Sequence, residues 1–326
     1  MTSSPLPQRP VGRSGLRVSA IGLGCNNFGR AGTATETLDG TRAVLNAALD
    51  AGVTFLDTAD VYGREFGLSE TLMGEALQGR RDEVILATKF GHADLAPGVL
   101  GGGKASRTSI RRSVEGSLRR LRTDWIDLYQ LHTPDPSTPI DETLDALGDL
   151  VREGKVRYVG HSNFSGWQIA EADYAAKGVR FVASQNQYSL LARAAEREVL
   201  PAIDRFGLGL LPFFPLHNGL LTGKFSREGG PEGSRIMRQR PHLWREAPWD
   251  ALERYQAFCD ARGITMLQAT FAWFLANPLV SSVIAGATSP EQVHANAAAA
   301  TAWVPSPDDI AEIDGILSLP ADPAAG

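Results

Sequence analysis

Short apolar runs that suit buried strands alternate along this chain with segments whose apolar residues recur at helical spacing, and the alternation repeats eight times. The runs lie at residues 20–24, 53–57, 84–88, 126–131, 156–161, 181–184, 208–211 and 281–285. Helical periodicity fills 37–50, 69–77, 109–121, 144–152, 166–176 and 194–206, then 249–261 with 265–275, then a segment from Pro290. A strand followed by a helix and a further strand calls for parallel pairing, because a parallel neighbour is reached only by a crossover. Eight such units predict an α/β fold closed as a (β/α)8 TIM barrel. The length of 326 residues is ordinary for one barrel domain spanning 1–326.

Additions to the alternation sit at its ends and in one loop. Residues 9–18 (RPVGRSGLRV) predict a β-hairpin turning at Ser14 and Gly15, placed to cover the barrel bottom. Ser69 is positioned to N-cap the second helix, with Glu70 in its first turn. Residues 97–103 (PGVLGGG) predict a flexible loop at the same end as Lys89. A stretch from about 213 to 248 is rich in Pro, Gly and Arg and lacks strand periodicity, as a lid or binding loop would be. Residues 307–317 predict an extra C-terminal helix.

The charge balance narrows the partners. A net charge of −5 provides no electrostatic footprint for nucleic acid, and no window is apolar for long enough to span a membrane. The start, MTSSPLPQRP, has no hydrophobic core of a signal peptide, so a cytoplasmic protein is expected. Cys25 and Cys259 have no metal-ligand spacing and suit reduced thiols. A small-molecule ligand and no metal are therefore expected.

Polar groups collect where the predicted strands end. The stretch TFLDTADVYG turns from apolar to polar at Asp57 and places Tyr62 just beyond; the third run ends at Lys89 and the fourth at His132. In a parallel barrel these ends share one mouth. A phenol titrates near ~10, so Tyr62 needs a neighbouring cation to trade protons near neutrality. Lys89 offers that cation, Asp57 its counter-charge, and His132 a second hydrogen bond to the same substrate oxygen. The four together suit carbonyl–alcohol interconversion. Taken singly, each has a plainer reading: Asp57 or nearby Asp60 as a turn cap, Tyr62 as a surface phenol, Lys89 as an ion-pair partner, His132 as a core imidazole.

The chain resembles the aldo-keto reductases over nearly its full length, through GLGCNNFG, FLDTADVYG, ILATKFG, DLYQLHTPD, VGHSNFS, SQNQYSLL, LHNGLLTGK and GATSPEQVHAN in that order. The resemblance implies a catalytic tetrad of Asp57, Tyr62, Lys89 and His132, with Tyr62 the acid in reduction, and a nicotinamide cofactor extended across the barrel mouth. It also puts Phe213 where the family stacks an aromatic on the nicotinamide; core filling is the plainer reading.

Ser162, Asn163 and Gln185 offer hydroxyl and amide groups suited to a carboxamide, with loop capping as the alternative. The segment from Leu216 through Gly223 to Lys224 offers backbone donors and an ammonium for a pyrophosphate. Gly286 and Ser289 lead into the last helix, whose N-terminus suits a 2′-phosphate. Gln292 stands where many members carry arginine and Ala295 where a carboxylate often meets adenine, leaving Asn296 for the base. NADP is the expected cofactor, through Ser289, Gln292 and Lys224, with NAD as the alternative.

Three functions compete at this stage: a reductase of aldehydes or ketones, a slow redox-sensing regulatory subunit that keeps the cofactor site, and a Schiff-base lyase using Lys89. Asn26, Asn27, Phe28, the 97–103 loop and the segment 238–244 with Trp244 are the expected substrate walls.

Overall fold

The computed structural model describes residues 6–92 and 103–318, so the expected loop at 97–103 falls outside the described residues except for Gly103. The chain opens with an antiparallel pair, β1 (Gln8–Pro10) and β2 (Arg17–Ser19), and enters the barrel at β3 (Ile21–Gly24). There follow α1 (Leu38–Asp50), β4 (Phe55–Asp57), α2 (Leu68–Ala76), β5 (Ile85–Phe90), α3 (Arg107–Leu121), β6 (Ile126–Leu131), α4 (Ile140–Arg152) and β7 (Val156–Ser162). The second half runs α5 (Gly166–Ala175), β8 (Phe181–Gln185), α6 (Ala195–Phe206), β9 (Gly209–Leu210), α7 (Arg235–Gln239), α8 (Pro241–Arg245), α9 (Trp249–Ala261), α10 (Met266–Ala276), β10 (Val283–Gly286), α11 (Pro290–Ala299) and α12 (Pro307–Ile316).

All eight strands from β3 to β10 pair in parallel, in the order β10-β3-β4-β5-β6-β7-β8-β9. The ring closes between its ends: Leu210 N donates to Leu279 O at 2.8 Å, Ser281 N to Leu210 O at 2.9 Å and Ile284 N to Pro212 O at 3.1 Å. This is the expected (β/α)8 barrel. Among the described residues no helix is long and apolar enough to cross a membrane.

Strand alternation decides what fills the barrel and what tops it. Phe55, Ala87, Leu128 and Ala183 pack inside with Val11, Leu16 and Val18 of the hairpin, which plugs the N-terminal end. Residues two further along the same strands keep the same inward parity, and those residues are Asp57, Lys89, Gln130 and Gln185. The other parity faces the helix layer, with Leu56, Leu86, Phe90, Tyr129 and Leu131 in the larger core. One short repeat thus supplies an apolar plug below and a polar layer above.

The helical boundaries shift where local chemistry differs from the spacing rule. Ser69 does not cap α2: the helix starts at Leu68 behind Gly67 in the left-handed region, and buried Ser69 Oγ bonds Thr58 Oγ1 at 2.9 Å and the Cys25 carbonyl at 3.0 Å. The hairpin reverses over 12–15, closed by Val11 N to Leu16 O at 2.8 Å. The long loop after β9 holds a 3-10 segment, His217–Thr222, and two five-residue helices, one capped by Ser234 and one opened by Pro241. Too short to build a periodic pattern, these helices left no signal in the sequence.

The hairpin plug depends on Gly12, which has φ 54° and lies against the backbone of Gly207 and Gly209. A Cβ there would come within 2.7 Å of Gly209 N. Gly12→Ala is expected to cost about 2 kcal/mol or more, read as a lower urea midpoint; an unchanged midpoint would mean the plug does not bear on stability.

Candidate active site

The polar layer at the top of the barrel is wired together. Lys89 Nζ, fully buried, donates to Asp57 Oδ2 at 2.6 Å and to the Thr58 carbonyl at 2.9 Å, and lies 3.4 Å from Tyr62 Oη. The other carboxylate oxygen of Asp57 accepts from Gln130 Nε2 at 3.1 Å and Gln185 Nε2 at 3.0 Å. Asp57 therefore has a partner on each side, which is what a buried carboxylate requires.

Each member is delivered by a strand end. Asp57 closes β4, and the turn after it brings back Tyr62, whose carbonyl accepts from Ser69 N at 3.0 Å. Lys89 sits near the end of β5, opposite Gln130 of β6 in register. His132 follows β6, its amide donating to the Phe90 carbonyl at 2.8 Å, and its ring meets Tyr62 edge-on at 5.8 Å. Asn163 holds a left-handed φ of 61°, which asparagine tolerates, and its side-chain amide donates to the His132 carbonyl at 2.9 Å and Ser162 Oγ at 3.0 Å.

Burial sets the charge states. It pushes the Tyr62 phenol above its ordinary value; Lys89 pulls the other way and Asp57 adds to the rise, so the phenol keeps its proton at neutral pH. Burial pulls the Lys89 ammonium down, but Asp57 and Tyr62 outweigh it and leave the group above its ordinary value. His132 is held at about 2 by burial first, then by Lys89, His92 and Lys104, and is therefore an uncharged imidazole. The arrangement can present a protonated phenol and a neutral imidazole to one oxygen, with an ammonium behind the phenol to receive its charge.

These groups open into a cavity of about 940 Å³. Asp57, Tyr62, His132, Ser162, Asn163, Gln185 and Phe213 line its inner end, and Leu216, Lys224, Gly286, Gln292 and Asn296 line the part between β9 and α11. Asn26 and Asn27 line it from the loop after β3. Gly223 and Ser289 stay outside the lining; Ser289 accepts from Gln292 N at 3.5 Å as the N-cap of α11.

A match to the aldo/keto reductase family model runs across residues 20–318. The chain belongs to the aldo/keto reductase family. It is 40% identical over 296 residues to the uncharacterized oxidoreductase YrpG of Bacillus subtilis, covering 87% of each chain. It is 34% identical to the L-glyceraldehyde 3-phosphate reductase of Escherichia coli O157:H7, over 94% of this chain and 91% of that one. A putative voltage-gated potassium channel subunit beta of Schizosaccharomyces pombe is 35% identical, over 96% and 94%. Oxidoreductase activity follows from the family.

Two of the expected substrate walls lie outside the cavity lining. Phe28 is fully buried in the core between barrel and helices. Trp244 lies outside the lining on α8, its indole N–H donating to the Ser226 carbonyl at 2.9 Å and its ring against Trp249. The aromatic character that suggests a pocket wall suits a core or a loop anchor equally well. Gln185 has its amide nitrogen committed to Asp57, so it holds that carboxylate as well as lining the cavity. Two further residues complete the arrangement without having stood out in the sequence: His92, edge-on to His132 at 4.8 Å, and Gln130. His92 could have been found as a polar group just past a strand end, and Gln130 by its inward parity with Leu128.

Asp60 lies beside the tetrad with both carboxylate oxygens buried and without partners among the described residues. Burial, with Glu70 adding to it, raises its pKa to about 8 from the ordinary 3.8. The folded state thus holds a proton that the unfolded chain gives up, and this contribution to stability is lost as pH rises from about 4 through 8. The stability difference between Asp60→Asn and the parent is expected to shift in the variant's favour across that window in urea unfolding; a pH-independent difference would mean Asp60 is already ionised in the fold.

Proposed function

We propose that this aldo/keto reductase reduces aldehydes or ketones to alcohols with NADP(H), using Tyr62 as the proton donor. The observation that carries the reading is the buried chain from Asp57 through Lys89 to Tyr62, at the inner end of a cavity of about 940 Å³. As the carbonyl carbon accepts hydride, its oxygen takes the phenol proton. Lys89 then stabilises the phenolate, and Asp57, fixed by two amides, keeps the ammonium within reach. Neutral His132 hydrogen-bonds the same oxygen without competing for its proton.

The cavity's chemistry suits the cofactor. Arg235 Nε and Asn218 Oδ1 are buried without partners among the described residues, a donor and an acceptor left for a polar ligand. Ser162 and Asn163 would fix a carboxamide, and Phe213 would cover the nicotinamide. Lys224, Arg235 and Gln292 would hold its phosphates, with Asn296 near the base. The bound nicotinamide supplies the hydride. The preference for NADP over NAD rests on these two cations compensating for a glutamine where the resemblance leads one to expect arginine.

Similarity to proteins named as potassium channel beta subunits favours a second reading, in which the cofactor site is kept for regulation and turnover is slow. One variant separates the two. Tyr62→Phe is expected to lower NADPH oxidation by a carbonyl substrate about a hundredfold or more, while NADPH still quenches tryptophan fluorescence with a similar Kd. Tight NADPH binding with no Tyr62-dependent turnover of any aldehyde would support the regulatory reading instead, and NADH binding as tightly as NADPH would remove the NADP preference.

A further inference from the structure

The chain carries a net charge of −5, yet the cavity lining includes Arg30, Lys224, Arg235 and Arg238 against only two carboxylates, Asp57 and Glu232. Asp57 is already compensated by Lys89. Among the described residues, none of Arg30, Arg235, Arg238 and Arg240 forms an ion pair with a carboxylate. A concave basic surface on an acidic protein concentrates anions.

The arginines divide by position. Arg235 and Arg240 both lie over the Phe214 ring, at 5.7 and 5.6 Å, on the side of the loop that follows β9. Arg30 comes from the loop after β3, its guanidinium donating to the Asn26 carbonyl at 3.2 Å. Gly29, just before it, accepts a backbone hydrogen bond from Arg64 at 2.9 Å, so the Arg30 loop abuts the loop that carries Tyr62. Arg238 reaches the same place from α7: a Cβ built on Gly32 would lie 3.6 Å from its guanidinium. Burial and the nearness of Arg240 hold the Arg30 pKa below its ordinary value, while Tyr62 acts on it in the opposite sense. Arg30 thus stands near other cations, on a loop that abuts the one carrying Tyr62.

We propose that Arg30 and Arg238 form an anion clamp for the substrate, so that the enzyme prefers aldehydes carrying a carboxylate or phosphate a few atoms from the carbonyl. The proposal rests on the reductase reading and adds the substrate class to it. Two guanidinium forks, one from the loop after β3 and one from α7 in the loop after β9, match the planar oxygens of a carboxylate or the tetrahedral oxygens of a phosphate. An uncharged aldehyde would leave them unpaired.

The test compares 4-carboxybenzaldehyde with 4-methylbenzaldehyde, and glyceraldehyde 3-phosphate with glyceraldehyde, in the parent enzyme and in Arg30→Gln and Arg238→Gln. The parent is expected to favour the anionic member of at least one pair about tenfold or more in kcat/KM, and each variant to lower that ratio about tenfold, mainly through KM. A parent without preference, or variants that keep the parent's ratio, would overturn the clamp. Variants that weaken NADPH relative to NADH and leave the ratio intact would overturn it too, since the arginines would then serve the cofactor. Should no aldehyde turn over, the reductase reading falls, and calorimetric titration with 4-carboxybenzaldehyde still decides the clamp. Binding lost in both variants supports it; equal binding, or none in the parent, overturns it.

Discussion

The contact between Lys89 and Asp57 is the constraint on which the rest of the site depends. A fully buried ammonium and a nearly buried carboxylate at 2.6 Å would be costly to hold in a barrel interior without further partners. The Thr58 carbonyl takes a second ammonium hydrogen, and Gln130 and Gln185 supply the remaining oxygen of Asp57 from strands two and four places away around the ring. Breaking such a pair by removing one member costs about 3–5 kcal/mol, because the other charge stays buried alone. The pair therefore stands only if β4, β5, β6 and β8 keep their register, and once it stands it fixes a cation beside Tyr62.

Much of this was legible in the residues. Eight apolar runs separated by helical segments dictated the barrel, and the run ends at Asp57, Lys89 and His132 marked its mouth because inward parity is maintained along a strand. What escaped notice was set by pairing across the ring. Gln130 is one polar residue within the run IDLYQL, and its role depends on an Asp57 that is far away in sequence. Phe28 and Trp244 show the opposite limit: an aromatic beside a glycine or in a loop has the same appearance whether it lines a pocket, fills a core or anchors a turn. Ser69 fitted the N-cap pattern, yet the left-handed Gly67 began the helix earlier and released the hydroxyl to bond Thr58.

Electrostatics tie the outer cavity to the inner one. Burial keeps Tyr62 protonated and His132 neutral, so the inner end of the cavity carries little net charge once Asp57 and Lys89 compensate each other. The rest of the lining is basic in an otherwise acidic chain, which suits it to the anionic cofactor and substrates proposed above.

The central claim is that the Asp57–Lys89 pair is what allows Tyr62 to give up its proton. The most direct measurement is the single-turnover rate of NADPH oxidation by an aldehyde in the Asp57→Asn, Lys89→Met double variant, which removes both charges together and leaves neither buried alone. With bound NADPH confirmed by fluorescence, the account predicts a rate lower by about a hundredfold or more than in the parent. A rate within a few-fold of the parent would contradict it.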